Sequence, residues 1–256
     1  MTKFVPYLRE EVIERDAAAL LAEYAQARGT AIDLPIPIED IVEKHLKLGV
    51  EFDDAHRRFG VPRSGPDSDI IGAMFFDEKR IMIDESLDPD EHPEREGRYR
   101  FTLAHEGGGH WRLHRHLFAG NPAQTSLFAG AAPLPSFICR SSHSKERVEW
   151  QADFYASCLL MPRGLVFAAW DERFPDCRRH VMGRSRRDAI GLIADAEERH
   201  DQLNVEEWET GLAMEAIARP FAEMFLVSPH AMRIRLETLN LLLREAPKQQ
   251  VFAGGE

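Results

Sequence analysis

Residues 101–116 read FTLAHEGGGHWRLHRH, and the rest of the chain is organised around them. They place His105, Glu106 and His110 inside a segment with helical character. Neutral imidazole nitrogens held on one face of a rigid element suit a divalent metal. A carboxylate beside such a metal can take the proton of a water molecule there. The common form of this device is HExxH, whose histidines, four apart, share a helical face. Here the pattern is HExxxH, and the three residues between Glu106 and His110 are Gly107, Gly108 and Gly109.

On a regular α-helix, at about 100° per residue, five steps leave the two imidazoles some 140° apart, against about 40° for four. Two resolutions are open. A one-residue π-bulge absorbs the extra residue and realigns the histidines, and such bulges are frequent at functional sites. Alternatively the pair is His110 and His114, four apart in HWRLH, which leaves Glu106 at the wrong end. The glycines favour the bulge. Each costs on the order of 1 kcal/mol in a helix interior relative to alanine. Three in a row point to a distorted turn, or to a backbone pressed against metal and substrate.

Two histidines do not complete a catalytic metal site, which needs a third protein ligand. Residues 145–162, KERVEWQADFYASCLLMP, form a second predicted helix stopped by Pro162. Its Glu149 and Asp153 are four apart and project on one face. Glu149 is the candidate third ligand. Asp153 is the candidate acceptor for the non-ligating nitrogen of a metal-bound histidine, fixing its tautomer. Glu106 is the candidate general base. A two-histidine, one-carboxylate set suits Zn2+ and also admits Mn2+. His114 and His116 are expected in supporting or surface positions. Tyr155 is a candidate oxyanion donor that fits a core position better.

Outward from the centre, residues 9–28 carry apolar positions at helical spacing: Val12, Ile13, Ala17, Leu20, Leu21 and Tyr24. Residues 38–48 suggest a second helix closed by Gly49. Strands are expected at 50–52, 70–76 and 80–83, the last two joined by an Asp77-Glu78-Lys79 turn. An exposed strand of that hairpin would suit an extended peptide by strand addition. Residues 85–97 read as a loop. The small-residue stretch 118–137 reads either as a lid or as a plain surface loop. Residues 164–173 suggest a short helix, and 213–243 two helices separated by Val227-Ser228-Pro229.

A chain of 256 residues accommodates one large domain, or one domain and a smaller companion. The expectation is a domain over 1–170 and a helical region over 171–256. A net charge of −11 argues against a dedicated nucleic-acid or anionic-membrane binder. The basic stretch 178–187, RRHVMGRSRR, is accordingly read as a solvated loop. No apolar run approaches a membrane span, and the start, MTKFVPYLREEV, lacks a secretory h-region. The odd, scattered cysteines Cys139, Cys158 and Cys177 fit reduced thiols in a cytoplasm.

These pieces resemble the ImmA/IrrE family of bacterial and phage metallo-endopeptidases. The resemblance runs through LPIPIEDIVEKHLKLGVEF, IIGAMFFDEKRIMID, YRFTLAHE…GHWRLH, EWQADFYASCLLMP and FLVSPHAMRIRLETLNLL. The family pattern is AHExGH followed by ExxAN. Here HEGGGH is one residue longer, and Asp153 stands at the asparagine. The resemblance implies His105, His110 and Glu149 as ligands and Glu106 as the base. It also implies an α+β zincin-like domain with a small mixed sheet, two ligand helices and a helical C-terminal region. The activity it implies is zinc-dependent, site-specific cleavage of a helix-turn-helix transcriptional repressor, with no membrane or direct nucleic-acid partner. A second expectation, from a different class, is a metal-binding but non-proteolytic regulatory or antitoxin-like module on the same fold.

Overall fold

The first helix, α1 (Glu10–Arg28), buries Ile13, Ala17, Leu20, Leu21 and Tyr24, a single apolar stripe. Glu10 and Glu11 sit in its first turn and Arg28 in its last, both favourable to the helix dipole. It ends at Gly29, whose φ of 68° lets its N–H return to the Ala25 and Gln26 carbonyls. This computed structural model describes residues 5–60, 70–118, 137–140, 147–176, 179–182 and 205–244. The chain divides into two compact units, Met1–Pro162 with Met224–Val227, and Arg163–Glu223 with Ser228–Glu256.

In the first unit, α2 (Ile38–Asp40) passes directly into a π-helical turn, Ile41–His45. Gly49, expected to close this helix, instead opens strand β1 (Gly49–Asp53). Helix α3 (Ala55–Phe59) follows, capped by the Asp54 side chain, which accepts from the Arg57 N–H. Strands β2 (Ile70–Phe75) and β3 (Arg80–Asp84) flank the expected turn, in which Lys79 N–H donates to the Phe76 carbonyl. Next come α4 (Glu96–Leu103), an eleven-residue π-helical segment (Ala104–His114) and α5 (Arg115–Phe118). Strand β4 (Phe137–Arg140) and helix α6 (Arg147–Leu160) complete the unit.

The fold is α+β with a small mixed sheet of order β1-β3-β2-β4. Strand β1 runs parallel to β3, while β2 is antiparallel to both β3 and β4. The hairpin strands β2 and β3 are therefore both interior. This corrects the expectation of a hairpin edge free for strand addition: among the described residues the edges are β1 and β4. Strand β4 lies at the end of a segment that the sequence suggested was a loop.

Pleating assigns the sheet two faces. Ala73, Phe75 and Met82 pack with Ala55 of α3. The opposite face carries Gly72 and Ile81, which meet the π-helical segment at Glu106 and Gly107. On the other side of that segment lies α6. Asp16 of α1 links the π-helical segment and α6, its Oδ1 accepting from Arg112 Nε at 3.0 Å and from the Tyr155 hydroxyl at 2.9 Å.

The second unit contains α7 (Arg163–Arg173), β5 (His180–Val181), α8 (Val205–Phe225) as far as Glu223, α9 (Pro229–Thr238) and β6 (Leu242–Leu243). Ser228 caps α9 by accepting from the Ala231 N–H at 3.1 Å. Met232 and Leu236 of α9 are buried, whereas Ile234 is 45% exposed. Among the described residues no helix is long and apolar enough to cross a membrane. Most of the stretch 118–137 and most of the basic stretch 178–187 lie outside the described residues.

Candidate metal centre

The irregular histidine spacing is resolved by a change of helix type. In the π-helical segment, i→i+5 hydrogen bonding makes residues five apart neighbours on one face. His105 and His110 thus turn the same way, and their Nε2 atoms stand 3.0 Å apart. The distortion is longer than the single bulge expected, spanning Ala104–His114.

The three glycines sit in close contact with their neighbours, and Gly109 meets backbone. None of them has a positive φ; among the described residues the positive-φ glycines are Gly29 and Gly60. A Cβ on Gly107 would lie 2.7 Å from Val42 Cγ2. One on Gly108 would lie 2.9 Å from Leu159 Cδ2 and 3.0 Å from Tyr155 Cε1. One on Gly109 would lie 2.6 Å from the Ala152 Cα, against backbone that cannot swing aside. The backbone is pressed against α6 and Val42, where the sequence had suggested metal and substrate. That close approach brings α6 near enough to deliver its carboxylates.

Glu149 is delivered between the two histidines. Its Oε2 lies 3.2 Å from His105 Nε2, and its Oε1 lies 3.6 Å from His110 Nε2. Burial pushes its carboxyl pKa up, but the adjacent His105 and His110 outweigh this and hold it below the usual carboxylate range. Burial lowers the His110 pKa to about 3, so its ring is neutral near pH 7.

The remaining ring nitrogens fix the tautomers. His105 Nδ1 lies 2.8 Å from Asp153 Oδ1, so an ionised Asp153 accepts from Nδ1–H and leaves Nε2 bare. On the other ring, His110 Nδ1 meets His114 Nδ1 at 3.0 Å, and His114 Nε2 meets Gln151 Oε1 at 2.9 Å. Gln151 Nε2 in turn donates to the Pro6 carbonyl at 2.8 Å. A carbonyl only accepts, so the series runs one way and leaves His110 Nε2 bare as well. The 3.0 Å Nε2–Nε2 contact therefore joins two acceptors, with a third acceptor, the Glu149 carboxylate, beside them.

Acceptors at this spacing repel unless a cation lies among them. Ligand atoms around a tetrahedral zinc at about 2.0–2.1 Å stand roughly 3.3–3.4 Å apart. The three separations here, 3.0, 3.2 and 3.6 Å, bracket that value. The buried His105, His110 and Glu149 form a group that can hold a metal ion, and the donor set fits one.

Glu106 is fully buried next to this group, and among the described residues neither of its carboxylate oxygens has a hydrogen-bond partner. Burial raises its pKa to about 8, with the nearby Glu149 and Asp153 carboxylates adding to the rise and His105 opposing it. Gly72 of β2 approaches closely: a Cβ there would fall 3.0 Å from Glu106 Oε1.

All five residues singled out from the sequence, His105, Glu106, His110, Glu149 and Asp153, fall in this one place. The alternative pair, His110 with His114, is not what faces Glu149; His114 lies behind His110. Tyr155 is buried and held by Asp16. Gln151 escaped the sequence reading. Its signal was its place on the apolar face of α6, three residues after Val148 and four before Tyr155, where an amide requires partners. No protein-family model and no curated protein matches this chain.

Proposed function

We propose that this protein is a metal-dependent endopeptidase, with zinc the leading ion and manganese the alternative. The single observation that carries the reading is the buried, unpartnered Glu106 carboxylate next to three converging acceptors. A structural metal site needs no such carboxylate. A hydrolytic one needs a base beside the metal.

Zinc bound by His105, His110 and Glu149 would act as a Lewis acid and lower the pKa of a bound water. Asp153 and the His114–Gln151 pair hold the two imidazoles in the tautomer that presents Nε2. Glu106 Oε takes the proton of the attacking water as the carbon–oxygen bond forms. The same carboxyl then gives that proton to the leaving amine as the carbon–nitrogen bond breaks, so protons balance over the cycle. Burial of Glu106 favours its protonated form, which suits the second step, while a cation at the site favours the carboxylate needed for the first.

The resemblance to the ImmA/IrrE family supports a zincin-like arrangement, a cytoplasmic setting and a helix-turn-helix repressor as substrate. The second reading is a metal-binding regulatory module without proteolysis. It is favoured by the near-complete burial of the site, since His105 is 1% exposed and Glu106 and His110 are 0% exposed. One experiment separates the two. Metal content of the purified chain is measured by elemental analysis, and candidate repressors are incubated with wild type and Glu106→Gln. The peptidase reading expects about one zinc per chain in both proteins and cleavage by the wild type alone. A wild type without metal, or cleavage that persists in Glu106→Gln, overturns it.

A further inference from the structure

We propose that Gln151 is a positioning residue for His110, and that through it the N-terminal segment at Val5–Pro6 is coupled to metal binding. This rests on the metal-site reading above and adds a regulatory link to it.

The direction of the series is forced from its far end. The Pro6 carbonyl oxygen can only accept, so the Gln151 side chain must present its NH2 there, at 2.8 Å. Its Oε1 then faces His114 and can only accept, so His114 Nε2 donates, at 2.9 Å. With its one proton on Nε2, a neutral His114 offers Nδ1 as an acceptor to His110 Nδ1–H, at 3.0 Å. The His110 Nε2 lone pair is left for the metal. His114 and Gln151 are both fully buried, so water does not replace either partner.

The segment before α1 is also fixed at a neighbouring point, where Arg147 Nη1 donates to the Val5 carbonyl at 3.0 Å. Residues 5–6 thus lie on α6, the helix that carries Glu149 and Asp153. If docking of the segment favours the metal-binding tautomer, metal binding must favour docking by the same factor, because coupling between two equilibria is reciprocal. Asp153 plays the corresponding part for His105 from α6 alone. The His110 series reaches the N-terminal segment at Pro6.

The test uses the full chain. Long-range proton–nitrogen NMR spectra of the metal-free protein distinguish an imidazole with hydrogen on Nδ1 from one with hydrogen on Nε2. Wild type is expected to show His110 as the Nδ1–H form. Gln151→Met, which keeps the length but loses both hydrogen bonds, is expected to lose that preference and bind zinc about 10–100-fold more weakly, the range for outer partners of metal ligands. Zinc is also expected to slow amide exchange at Tyr7 and Leu8 in wild type and not in the variant. A merely structural Gln151 would change none of these in a folded variant. His110 found as the Nε2–H form in wild type, or zinc affinity unchanged in Gln151→Met, overturns the proposal. If the variant does not fold, the wild-type tautomer alone decides. A wild type that binds no zinc refutes the metal reading, while the tautomer still tests the series.

Discussion

Gly109 and Ala152 touch backbone to backbone: a Cβ on the glycine would stand 2.6 Å from the Ala152 Cα and 2.9 Å from its carbonyl oxygen. This contact sets the distance between the π-helical segment and α6. It therefore sets the distance between the histidines and Glu149.

Gly109→Ala should destabilise the protein although alanine is the better helix former by about 1 kcal/mol. The added methyl has no flexible neighbour to displace, and overpacking of this kind costs roughly 1–3 kcal/mol. Denaturant unfolding of the metal-free chain measures it. The same variant should bind zinc more weakly, because Glu149 is carried outward with α6. A variant as stable as wild type would show that the helices are not in this contact.

Asp153 accepts from His105 Nδ1–H at 2.8 Å, while its side chain is 58% exposed. Its exposure makes Asp153→Ala cheap for folding, so its effect should appear in the metal site. Zinc affinity should fall about 10–100-fold, and Asp153→Asn, which keeps an accepting oxygen, should lose less. Competition with a chromophoric chelator gives both numbers. Equal affinities in wild type and Asp153→Ala would remove Asp153 from the site.

Asp40 joins α1 to the short helix that supports Gly107 through Val42. Lys44, Tyr24 and Arg28 surround its carboxyl and lower its pKa from 3.8 to about 2. The folded pKa is depressed, so the unfolded chain binds the proton more readily. The stabilisation is present above about pH 3.8 and is lost as pH falls toward about 2. Between these values the stability of wild type should fall more steeply than that of Asp40→Asn. Parallel acid-unfolding curves would contradict the assignment.

The chemistry of the site was legible because it depends on short spacings: HExxxH, and ExxxD on the next helix. The sequence also suggested that something unusual happens at Gly107–Gly109, since three glycines are expensive in a helix. It did not show how far the π-helical winding extends. Nor did it show that the glycines answer to Val42, Leu159 and Ala152, because those neighbours are brought in by tertiary packing. The order of the sheet was likewise out of reach. Alternation marks a strand, but β2 becomes interior only because β4 pairs with it from across a long connection. Gln151 and Pro6 lie 145 positions apart, and no local pattern links them.

His105 Nε2, His110 Nε2 and the Glu149 carboxylate are proposed as the acceptors that together hold one metal ion. X-ray absorption at the zinc edge of the zinc-loaded full chain tests this most directly. Two imidazole nitrogens at about 2.0–2.1 Å and oxygen ligands at about 2.0–2.2 Å are expected. His105→Ala and His110→Ala are each expected to abolish this spectrum. Sulfur in the first coordination shell, or an unchanged spectrum in either histidine variant, would contradict the proposal.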